Sequence, residues 1–124
     1  MTPLEALQQH QQVCDDLHAL AVEENHFLQQ HQRAPEAPLL ERKRVLLGQL
    51  EETLVALRAV PREGVGTPGR QALDRTRERI LQILQLDREN EQLLLRFSLT
   101  GHRVPATTPA LPAGMLQKIY QRHR

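Results

Sequence analysis

The chain has 124 residues and a formal net charge of +1, with 16 Lys and Arg against 15 Asp and Glu. That length suits one domain with a modest core, and the near-balance of charge excludes the broad electrostatic footprint of a general nucleic-acid binder. Leu dominates the apolar residues, Trp is absent, and Phe27, Phe97 and Tyr120 are the only aromatics, a profile that favours helices over strands.

Charge is distributed less evenly than its sum suggests. Before Arg33 the chain carries Glu5, Asp15, Asp16, Glu23 and Glu24 and no Lys or Arg, whereas after Gly101 it carries Arg103, Lys118, Arg122 and Arg124 and no acid. An acidic first helix and a basic tail are expected. Cys14 is the only cysteine, which excludes an internal disulfide framework and fits a reducing compartment. With no apolar run of about 18 residues and no basic n-region leading into an apolar stretch, the expectation is a cytoplasmic protein without a membrane span or secretory signal.

Thr2-Pro3-Leu4-Glu5 is a capping-box start with Pro at the first helical position. Leu7, Cys14, Leu17, Leu20, Ala21, Phe27 and Leu28 then follow helical spacing, although Gln8 to Gln12 dilute the seam, so a first helix is predicted over 3–33, ending before Pro35 and Pro38. The pattern restarts at Leu39 with Leu40, Lys43, Leu47, Leu50, Leu54 and Leu57, predicting a second helix over 39–60 that stops at Pro61. The segment Pro61 to Gly69 is dense in Gly and Pro and reads as a hairpin loop.

Thr67-Pro68 repeats the helix start, and a third helix is predicted over 69–100 with Leu73, Ile80, Ile83, Leu84, Leu94 and Phe97. Its seam breaks between Leu86 and Leu93, where Asp87 to Gln92 are all polar. The apolar residues of this helix span more of its circumference than one seam requires. Either a second face serves a partner or helix three is the central helix of a bundle, buried on two sides. Residues 101–124 form a tail punctuated by Pro105, Pro109 and Pro112. Within it Leu116, Ile119 and Tyr120 fall at i, i+3 and i+4, an anchor pattern on a helix of about 12 residues that is marginal in water without a surface to pack on. The predicted fold is therefore all-α: an elongated antiparallel helical hairpin or three-helix bundle over 1–100 with coiled-coil character, followed by a flexible tail.

Three constellations bear on chemistry. His10, Cys14 and His18 share one helix face at i, i+4 and i+8, but the outer pair lie about 12 Å apart along the axis and cannot easily meet one metal ion. A solvent-facing or interface stripe, with Cys14 half-buried, is the expected reading, and neither a metal nor a cofactor is expected. Cys14 with His18 as nucleophile and base lacks an oxyanion hole and an orienting group, so an enzyme is not expected. The glycines before Arg70 lack the spacing and terminal Lys-Ser or Lys-Thr of a phosphate-binding loop.

Two segments carry a family resemblance. Leu39 to Val60 (LLERKRVLLGQLEETLVALRAV), with Lys43, Leu46, Leu47, Leu50, Leu54 and Arg58, and Ile83 to Leu99 (ILQLDRENEQLLLRFSL), where Asn90 precedes Leu93, Leu94 and Leu95, resemble flagellar export chaperones of the FlgN type. The chain departs from that family in its short length, its Pro- and Gly-rich inter-helix loop and its tail. The resemblance implies a non-enzymatic helical chaperone that holds hook-filament junction proteins and delivers them to the type III export gate. It places cargo binding on Leu93, Leu94, Leu95 and Phe97, and docking at the gate on Tyr120, beside the anchors Leu116 and Ile119. The alternative is a structural coiled-coil or scaffold subunit of a secretion or division apparatus that self-associates.

Overall fold

A computed structural model describes residues 2–60, 66–99 and 114–123. Among the described residues the chain is all-α, with helices α1 (Pro3–His31), α2 (Ala37–Arg58), α3 (Gly66–Leu99) and α4 (Met115–Arg122). The capping box forms as expected: Thr2 Oγ1 accepts from the Glu5 N–H at 3.1 Å, and Glu5 Oε2 accepts from the Thr2 N–H at 3.3 Å. α1 ends at Gln32, whose left-handed backbone (φ 51°) lets its N–H reach the Leu28 carbonyl at 3.0 Å.

Two starts fall earlier than predicted. α2 begins at Ala37, with Pro38 inside its first turn, where a missing N–H costs no helical hydrogen bond. α3 begins at Gly66, so the last four residues of the predicted loop are its opening turn. The remainder of that loop, 61–65, and the proline-punctuated part of the tail, 100–113, lie outside the described residues.

Side-chain pairs between helices give the topology. Glu24 meets Lys43 and His10 meets Thr53, so α1 and α2 run antiparallel. Asp15 meets Arg79 and Asn25 meets Asn90, so α1 and α3 run parallel. α4 runs parallel to α2, with Leu116 beside Lys43 and Leu47 and Arg122 on Glu51. The result is an up-down-up-down bundle whose fourth helix has only two turns.

The central helix is α1, not helix three. α1 packs along both α2 and α3 and buries Leu7, Val13, Cys14, Leu17, Leu20, Ala21 and Leu28. Residues of α1, α2 and α3 with Leu116 and Ile119 of α4 make one apolar cluster. α4, the short amphipathic helix expected within the tail, closes the side of the bundle where α2 and α3 face each other across α1.

Candidate functional site

The site with most structure is the groove between α2 and α3 in which α4 lies. Leu17 and Ala21 of α1, Leu47 and Leu50 of α2 and Ile83 of α3 present a continuous apolar floor, because heptad-like spacing puts each on its helix's inner face. Leu116 (1% exposed) and Ile119 (4%) sink into it, and Met115 and Tyr120 lie half-buried alongside. Gly114 starts α4 in a left-handed conformation (φ 74°) that glycine adopts without strain. At the other end Arg122 and His123 both bond Glu51, and Arg58 donates to His123 Nδ1 at 3.4 Å. The His123 hydrogen bond, with the Arg122 guanidinium, holds the Glu51 carboxyl below the usual range.

One end of this groove is polar. Lys43 Nζ lies 3.1 Å from Glu24 Oε2 and 3.2 Å from Asp87 Oδ1, with Leu116 beside the triad. Burial works against charge on Lys43, but the two carboxylates outweigh it and raise its pKa; for Glu24, burial wins over Lys43 and the pKa also rises. Next to the triad, Asn25 Nδ2 donates to Asn90 Oδ1 at 2.9 Å, and Asn90 Nδ2 donates to the Ala21 carbonyl at 3.3 Å. Among the described residues no buried side-chain polar atom lacks a partner.

The polar stretch Asp87 to Gln92, read in the sequence as a break in the seam, thus supplies part of the interior. Asp87 and Asn90 turn inward on the same face as Ile80 and Ile83, where Lys43, Glu24 and Asn25 meet them. The one signal available beforehand was Lys43 itself, a cation at an apolar-seam position that needs a buried carboxylate.

Leu116 and Ile119 therefore do not project as free anchors. They occupy the chain's own groove, and the half-buried Tyr120 lies against it. Of the residues expected to hold cargo, Leu93, Leu94 and Phe97 are half-buried and Leu95 is 58% exposed. α1 ends six residues beyond Asn25, whereas α3 runs nine beyond Asn90, so Leu99 (86% exposed) lies past the end of its neighbour.

The His10, Cys14 and His18 stripe is divided rather than shared. His10 (2% exposed) turns to α2, its Nδ1 3.0 Å from Thr53 Oγ1, while His18 lies 3.4 Å from Arg79 of α3. Cys14 is buried outright, not half-buried, with Sγ 3.7 Å from His10 Nε2. Burial pushes the Cys14 thiol up to about 12 and His10 down to about 4, so both are uncharged near neutral pH. Burial and the Arg79 charge lower His18 as well. Among the described residues no three His, Cys, Asp or Glu converge on a metal position, and no helix is long and apolar enough to cross a membrane. No protein-family profile, curated protein or solved structure matches the chain.

Proposed function

We propose that this protein binds a helical segment of another polypeptide in the groove that α4 occupies, and that it acts as a cytoplasmic export chaperone of the FlgN type, carrying hook-filament junction proteins to the type III export gate. The observation that carries the reading is α4 itself: a two-turn helix holding apolar residues at i and i+3 in a groove built by α2 and α3. Eight residues do not sustain a helix in water, so α4 depends on the groove. Burying Leu116 and Ile119 contributes about 1.5–3 kcal/mol each, partly offset by ordering the backbone. A partner helix with the same spacing competes for that surface, and Leu93, Leu94, Leu95 and Phe97 extend it toward the end of α3. Of the two segments that resemble the chaperone family, the first forms the α2 wall of this groove and the second begins in its α3 wall at Ile83.

The test is titration of a labelled peptide from a helical end of a hook-filament junction protein into the full chain and into the double variant Leu116→Asp, Ile119→Asp. Undocking α4 removes the competitor and tightens binding by about tenfold, and Leu95→Glu weakens it. Absence of binding to either chain sinks the reading. A self-associating scaffold is favoured by one feature, the exposed Leu81, Leu95 and Leu99 on one face of α3; light scattering that rises with concentration in the absence of cargo would support it instead.

A further inference from the structure

The described residues do not fill the bundle at the end where α1 and α3 begin and α2 and α4 finish. There a cleft of about 650 Å³ lies between all four helices. Leu7, Leu54 and Ile80 are its deep apolar residues, and Leu57, Leu73 and Tyr120 its half-buried sides. α4 stops at Arg122 while α2 runs on to Arg58, so among the described residues the last part of the α2/α3 groove is not covered by α4.

Among the described residues that line this cleft, the permanently charged ones have one sign. Arg58 and Arg77 line it together with His123, and no described lining residue is a carboxylate. Of the carboxylates with a partner near this end, Glu51 is held by Arg122 and His123, and Asp74 makes only an exposed 3.9 Å contact with Arg77. Among the described residues no carboxylate pairs with Arg58, which lies 3.4 Å from His123 Nδ1. An aliphatic hollow edged by two guanidinium groups calls for a ligand with an apolar body and an anionic head. Its size decides between ligand classes: a helix with side chains is about 10–12 Å across, and this volume, open on one side and lined by four helices, admits little more than one turn of it, whereas a single alkyl chain fits.

We propose that this cleft binds a single-chain anionic amphiphile of the fatty-acid class, with its chain among Leu7, Leu57 and Leu73 and its carboxylate on Arg58 and Arg77. This goes beyond the partner-helix reading, since it uses the opposite end of the bundle from Leu93 to Phe97.

The experiment is calorimetric titration of dodecanoate, below micelle formation, into the full chain, with dodecyltrimethylammonium as the charge-reversed probe and phosphatidylglycerol vesicles as the lipid-surface probe. Saturable one-to-one binding of dodecanoate is expected, with none of the cationic probe. Arg58→Glu, an exposed position that leaves packing intact, weakens it about tenfold or more, and Leu57→Trp fills the hollow and abolishes it with helicity by circular dichroism unchanged. If the Trp variant loses helicity, the Arg58→Glu comparison decides. No saturable binding below about 1 mM, equal binding of the cationic probe, binding to vesicles alone, or dodecanoate affinity unmoved by Arg58→Glu would each overturn the assignment.

Discussion

Asn25 of α1 and Asn90 of α3 form a buried amide pair, Nδ2 to Oδ1 at 2.9 Å, that sets two parallel helices in register. Both side chains are nearly inaccessible, and Asn90 also reaches the Ala21 carbonyl. A pair of this kind stabilises only while complete. Asn90→Ala leaves Asn25 Nδ2 with only the longer 3.5 Å bond to Glu89 Oε2 and is expected to cost about 1–3 kcal/mol in urea unfolding, whereas replacing both by Leu is expected to be near neutral or stabilising. A double variant as unstable as the single one would show that the pair contributes more than mutual satisfaction.

Lys43 neutralises two carboxylates that α1 and α3 bring together. Lys43→Met leaves the buried Glu24 and the half-buried Asp87 without their cation and is expected to cost about 3–5 kcal/mol at pH 7. The folded-state pKa of Glu24 is raised already, so its protonated form is favoured by folding. That contribution is fully present below the unfolded value of 4.5 and is lost as pH rises through the folded one. The deficit of the variant should therefore shrink as pH falls from 7 toward 5, which parallel denaturation series would reveal.

His10 titrates in the opposite sense. Burial lowers its folded pKa to about 4 from 6.5, so folding favours the neutral ring. The associated stability is present above pH 6.5 and is lost as pH falls toward 4, a decline of roughly 3 kcal/mol. His10→Gln should flatten the acid limb of a thermal-unfolding profile over that window; an unchanged limb would place the acid sensitivity in other groups.

Cys14 reports on α4. With 1% exposure and a thiol pushed up to about 12, it should resist a thiol-specific probe at pH 8 in the native protein. Leu116 and Ile119 belong to the same cluster, so Leu116→Asp should accelerate labelling by about tenfold or more, in proportion to the population of the opened form. Equal rates in the two proteins would mean that α4 does not guard this part of the core.

The helices were legible in the sequence because their signals are local. Thr2 with Glu5, the prolines before Leu39 and the spacing of Leu47, Leu50 and Leu54 need no partner to be read. Pairing was not legible, since a seam at helical spacing states which face is apolar and leaves open what covers it. Helix three has the richer apolar surface, yet α1 became the hub, because His10, Glu24 and Asn25 are buried there through partners on other helices.

The sequence by itself determined an all-α chain, the places where its long helices stop, and an amphipathic segment at Leu116 to Tyr120 that requires a surface. Only the tertiary structure decided that the surface is the chain's own groove and that Asp87 and Asn90 face inward. The physical reason is that burial of a polar or an isolated apolar side chain becomes favourable only once its partner is in place, and the polar partners of Glu24 and Asn90 lie 19 and up to 69 residues away along the chain.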